Sequence, residues 1–97
     1  MNSIFSEIHS AELRVEYYFY KEYNIQVNCT NMMGVYGLSV PKKYSEEVIS
    51  CLKKHDIRFE VYPNISKDIF GRYNSNSFNF IRLFDYKDQI IRLGDEL

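Results

Sequence analysis

The sequence predicts an α+β domain: a mostly antiparallel sheet of about five strands with helices on one face, in the order α-β-β-β-α-β-β-α. Three observations lead there. A strand–helix–strand unit is written over 35–62, and the stretch 13–29 alternates apolar with polar residues. The chain of 97 residues holds no linker, repeat or low-complexity run, so residues 1–97 make a single compact domain. A chain of this size can fold on one core without disulfides or metal.

At the N-terminus, Ile4, Phe5, Ile8 and Ala11 recur at helical spacing, and Asn2 or Ser3 can cap a helix from Ser3 to Ala11. Beyond it the period changes. Of the nine odd positions from Leu13 to Cys29, eight are apolar or aromatic, with Lys21 the exception. The even positions carry Arg14, Glu16, Glu22, Asn24, Gln26 and Asn28. Period two predicts strands over about 12–20 and 24–30 with a break near Lys21–Tyr23. A helix continuing through position 23 is the alternative, since Val15, Tyr18 and Phe19 also fit a helical face. In the strand register Tyr17 and Tyr23 belong to the core, whereas Tyr18 and Tyr20 share the opposite face with Arg14 and Glu16.

Asn31-Met32-Met33-Gly34 reads as a turn, and Val35–Val40 as a strand that Pro41 ends because proline cannot donate to a ladder. KKYSEEVISCLKKHD is the clearest helix. Tyr44, Val48, Cys51, Leu52 and His55 lie along one face, with Glu46 and Glu47 early and Lys53 and Lys54 late, as the helix dipole favours. Ile57–Tyr62 follows as an alternating strand. Ser66–Ser77 is a loop broken by Gly71 and the Asn-Ser-Asn-Ser run. Phe78–Phe84 completes the sheet, and Asp85 caps a last helix that turns Tyr86, Ile90, Ile91 and Leu93 inward.

Composition excludes several function classes. Twelve Lys and Arg against thirteen Asp and Glu give a net charge of −1, so no global field draws the chain to nucleic acid or anionic lipid. No apolar run is long enough to span a membrane and no basic leader opens the chain, so a cytoplasmic location is expected. Cys29 and Cys51 fall inside apolar patterns, as free thiols in a reducing compartment do. Asn, Ile, Lys, Tyr and Phe, which AT-rich codons encode, make up 41 of the 97 residues, pointing to a bacterial or phage source.

Chemistry has few carriers. Cys51 and His55 stand at i, i+4 and could face one another, but a core thiol and a dipole-complementing histidine account for both. Cys29 and His9 lack the spacing of zinc ligands. No Gly-rich phosphate loop is present. The expectation is no enzyme, no cofactor and no metal.

What remains is surface. Tyrosine offers broad contact at low entropic cost and is enriched where proteins meet. The candidate partner-binding residues are therefore Arg14, Glu16, Tyr18 and Tyr20, joined by Arg72 and Tyr73 on the long loop. The expected function is a small non-enzymatic protein-binding domain, of the inhibitor kind found as immunity or anti-defence proteins. The partner is another protein, with a second copy of this chain as a further candidate. The alternative is a nucleic-acid-binding module using a tyrosine-bearing sheet face, which Glu16 and Glu22 oppose by repelling phosphate.

Overall fold

A computed structural model of the chain describes residues 4–63 and 78–97. Helix α1 runs over Ile4–Tyr23, followed by strands β1 (Asn28–Met32) and β2 (Val35–Pro41). A 3-10 turn at Lys42–Tyr44 leads into α2 (Ser45–Lys54). Strands β3 (Phe59–Pro63) and β4 (Phe78–Leu83) and helix α3 (Tyr86–Glu96) complete the described elements. The four strands form one antiparallel sheet in the order β1-β2-β4-β3. The α+β class therefore stands, with four described strands where the sequence predicted about five.

The difference lies in α1. The predicted strand over 12–20 is the second half of one twenty-residue helix, and the strand predicted over 24–30 begins only at Asn28. The cause is visible in the burial pattern. Ala11, Val15 and Phe19, spaced by four, are fully buried. Leu13 and Tyr17, also spaced by four and shifted by two, are exposed. Two residues are about 200° apart around a helix, so these stripes occupy opposite sides of α1. Interleaved in sequence, they reproduce the alternation of a strand. Tyr17 and Tyr23, assigned to the core by the strand register, are exposed.

Helix α1 ends on Asn24, whose φ of 56° is left-handed and whose N–H donates to the Tyr20 carbonyl at 2.9 Å. Asparagine tolerates that conformation better than most side chains. Ile25 and Val27, buried in the connector, then fasten the chain to the core before β1 begins. The β1–β2 hairpin turns on Met33 and Gly34, with φ of 53° and 85°. Two consecutive positive φ values match the twist of the flanking strands. The Asn31 Oδ1 accepts the Gly34 N–H at 2.7 Å and braces the turn.

Register sorts the sheet into two faces. Leu38 pairs with Ile81, and Ile81 with Val61. Their face, with Val40, Leu83 and Phe59, meets Ala11, Val15 and Phe19 of α1, Val48 and Leu52 of α2, and Ile90 and Leu93 of α3. The core thus sits between the sheet and all three helices. On the other face Phe80 stacks on Tyr62 at 6.1 Å, and the Arg82 guanidinium lies 4.6 Å from the Phe84 ring centre. The predicted strand–helix–strand unit is present as β2–α2–β3, with β4 inserted between its two strands.

The helix boundaries carry two further departures. Lys42–Tyr44 wind as 3-10 rather than as the first turn of α2. Asp85 occupies the N-cap position of α3 with a left-handed backbone (φ 49°) and makes no side-chain cap bond; its carboxylate pairs with Arg58. The Arg72 and Tyr73 expected at a binding loop, with the rest of 64–77, lie outside the described residues.

Gly37 sets how closely β2 and β4 approach. A Cβ there would stand 2.9 Å from the Arg82 Cα and closer still to the Ile81 carbonyl oxygen. Both are backbone atoms, which cannot swing aside. Gly37→Ala should therefore destabilise the fold by about 1–3 kcal/mol, as overpacking does, measured by urea denaturation. A loss under about 0.5 kcal/mol, the range of an uninvolved surface substitution, would show that the sheet does not depend on this contact.

Candidate functional site

The outward side of α1 is the largest departure from an ordinary amphipathic helix. Leu13, Tyr17 and Tyr20 recur at i, i+4 and i+7 and are 51%, 63% and 60% exposed. Such spacing places three large side chains in one line along the helix. Lys21 lies over the Tyr17 ring at 5.9 Å from its centre. Beside the stripe, an open hollow of about 470 Å³ is bounded by Leu13, Glu16, Tyr17, Tyr20 and the connector residues Gln26–Asn28. Large apolar side chains grouped on a surface mark contact sites more often than the same residues scattered singly.

The four predicted site residues on this segment do not form one face. Arg14 and Tyr18 border a hollow of about 240 Å³ toward α3, which also includes Tyr17, Lys21, Glu22, Gly94 and Leu97. Glu16 and Tyr20 border the hollow toward β1. Tyr17 belongs to both and forms the ridge between them. The shared sheet face proposed for Arg14, Glu16, Tyr18 and Tyr20 is thus absent, because residues alternating along a helix spread around it. The same fact removes the tyrosine-bearing sheet face on which the nucleic-acid alternative was built.

Each of the four has its own setting. Arg14 Nη1 donates to Ser10 Oγ at 2.8 Å, Nε to the Gly94 carbonyl at 3.3 Å, and Nη2 reaches Asp95 at 3.3 Å. It clips α1 to the end of α3. Glu16 accepts the backbone N–H of Cys29 at 2.8 Å, so its carboxylate is held against β1. Tyr18 is half-buried, edge-on to Phe19 at 5.3 Å and to Tyr23 at 6.0 Å. The neighbouring Tyr23 hydroxyl, and then burial, push its phenol up to about 12. Tyr20 alone of the four is a largely free aromatic surface.

Leu13 and Tyr17 are the surface residues the sequence reading missed. Their signal was present as the i, i+4, i+7 spacing, and the strand template hid it by sending both into the core.

Under α1 lies a compact polar cluster. The Tyr86 hydroxyl donates to Glu12 Oε2 at 2.5 Å, and the Cys29 thiol faces the Glu12 carbonyl at 3.8 Å. Burial, followed by the nearby Glu16 carboxylate, drives the Cys29 thiol far above its ordinary value. Burial and the adjacent Cys29 and Glu12 do the same to the Tyr86 phenol. Cys51 is buried in the core and its thiol is raised as well, by burial. The His55 Nδ1 lies 2.7 Å from Glu96. A thiol raised in this way is protonated at neutral pH and is a poor nucleophile.

Comparison with known proteins returned no relative. No protein-family model, curated protein or solved structure matches the chain. Its surface and chemistry therefore carry the functional reading.

Two predictions follow from these settings. Tyr17→Ala should change stability by under about 0.5 kcal/mol, whereas Phe19→Ala should cost about 3–5 kcal/mol; chemical denaturation of the pair distinguishes the helical from the strand register. The second concerns alkali. Cys29, Cys51, Tyr18 and Tyr86 are all raised in the fold, so the unfolded chain gives up protons first and stability is lost as pH rises. The loss should begin near pH 9.0, the ordinary value for both thiols, and steepen above 10.0, that of the tyrosines. In urea midpoints followed from pH 8 to 11, Cys29→Ser should flatten the earlier part of that decline. An unchanged profile would mean that the thiol is not sealed in the fold.

Proposed function

We propose that this chain is a protein-binding domain that acts by occupying a partner's surface with the outer side of α1, without chemistry of its own. The observation that carries the reading is the exposed Leu13–Tyr17–Tyr20 line. Anchors at i, i+4 and i+7 are the pattern by which a helix enters an apolar groove on another protein. Two of the three are tyrosines, which combine contact area, few rotatable bonds and a hydroxyl for the polar rim.

The support extends to the frame beneath. The opposite side of α1 is buried through Ala11, Val15 and Phe19, so the helix is already rigid before a partner arrives. A preorganised helix loses little entropy on binding. Both free thiols are raised by burial, which favours a role in contact over covalent catalysis. A small domain that presents one rigid helix suits an inhibitor, which needs only to cover a surface, and an immunity or anti-defence protein of a bacterial or phage element is the proposed setting.

A photocrosslinking amino acid placed at Tyr17, within the producing cell, tests this directly. It should yield one discrete adduct with another protein, whereas the same group at Lys53, on the exposed side of α2, should yield none. Adding Tyr20→Ser should abolish the adduct while leaving the thermal midpoint in place. Equal adducts from both positions, or none from Tyr17, would refute the proposal. An adduct only with a second copy of the chain would replace the foreign partner by self-association.

A further inference from the structure

Leu13, Tyr17 and Tyr20 are spaced four and then three residues apart, which is the d, a, d spacing of a coiled-coil seam. The residues that precede them in the same phase, Ser6 and Ser10, are exposed and polar. The apolar seam is therefore confined to the second half of α1.

In that phase Glu16 stands at g and Lys21 at e, one on each flank of the seam. Glu16 borders the hollow toward β1, and Lys21 the hollow toward α3. Of the other charged residues there, Glu22 falls at f, away from the seam, and Arg14 is committed to Ser10, Gly94 and Asp95. The seam has one negative flank and one positive flank.

A second copy of this chain complements that pattern, and only in one direction. When two identical helices pair in parallel about a two-fold axis, the g flank of each meets the e flank of the other, with residue i opposite i+5. Glu16 then faces Lys21 of the second copy on both sides of the pair. In an antiparallel pair like flanks meet, which sets glutamate beside glutamate and lysine beside lysine. The Lys21 ammonium is already placed for the parallel arrangement. It reaches back along α1 to lie 5.9 Å from the centre of the Tyr17 ring, the height at which Glu16 of a parallel copy stands. Glu16 spends Oε2 on the Cys29 N–H, which leaves Oε1 for the lysine. Exposed ion pairs add little strength, but they select the direction, while burial of Leu13 and the two tyrosines drives association.

We propose that the chain, when free of its partner, forms a parallel two-fold dimer through the outer side of α1. Leu13, Tyr17 and Tyr20 each pack on their own copies, with Glu16 and Lys21 paired across the seam. This rests on the reading of that side as the contact surface and adds its regulation. A second copy covers the seam until the partner displaces it. Only the monomer is competent to bind, so the apparent affinity for the partner falls in proportion to the monomer fraction.

Sedimentation equilibrium of the purified full chain should show a reversible exchange between monomer and dimer. Lys21→Glu sets like charges across both flanks and should raise the dissociation constant about tenfold, with the far-UV circular dichroism unchanged. Disulfide trapping reads the direction. Leu13→Cys and Tyr20→Cys, made separately and oxidised with diamide, should each link to their own copies, because every seam residue of a parallel pair lies opposite itself. The parent chain, with Cys51 buried and the Cys29 thiol turned to the Glu12 carbonyl, should stay unlinked. An antiparallel pair would trap at most one of the two variants. A monomer at all concentrations up to about 1 mM, a dissociation constant unmoved by Lys21→Glu, or trapping of only one variant overturns the proposal. None of these readouts needs the partner. A monomer that still gives the foreign adduct from Tyr17 loses only the dimer, and a dimer without that adduct loses only the foreign partner.

Discussion

The close approach of α1 and α3 governs the rest of this structure. The only alanine in the sequence, Ala11, meets Gly94, and a Cβ added to that glycine would lie 3.2 Å from the Ala11 Cα and Cβ. Only the two smallest side chains let the helices come so near. Once they do, the Gly94 carbonyl comes within reach of the Arg14 guanidinium, and the Tyr86 hydroxyl meets Glu12. The inner stripe of α1 is then fully used. Leu13, Tyr17 and Tyr20 have nowhere to go but outward, so the exposed stripe follows from how the helix is seated.

Much of the fold was legible because local chemistry and tertiary packing agreed. The α2 segment has acidic residues early, basic residues late and Val48, Cys51 and Leu52 on one side, and all three are buried. Met33-Gly34 turns where the sequence placed a turn. Alternation in β2 and β4 follows the burial of Leu38, Val40, Ile81 and Leu83. In α2 and β2 a single apolar face meets a single core and the period of the pattern reports the geometry faithfully, whereas β4 also buries Phe80 on its opposite face.

Helix α1 was illegible for a specific reason. Periodicity identifies a helix when it has one apolar side. Here two sides are apolar, and their offset of two residues gives the period of a strand. Lys21, read as a break between strands, is the point where the outer stripe stops while the helix continues. The candidate surface was hidden by the same ambiguity, since a tyrosine's side of the chain depends entirely on the period chosen. Tyr20 lies outward in either register, whereas Tyr17 changes from core to ridge. The contact between the end of α2 and helix α3 was beyond reach for a different reason: Arg92 donates to the carbonyls of His55 and Asp56, and nothing local in either segment announces their meeting.

Glu16 has a consequence for the sheet as a whole. Strand β1 lies at an edge, and the Glu16 carboxylate occupies the outward N–H of Cys29. An uncovered edge is a template on which further chains can polymerise. Here a helix side chain fills one of the docking points an incoming strand would need, and it brings negative charge to that place. That part of the sheet edge is thus closed from outside the sheet, by a residue that belongs to α1.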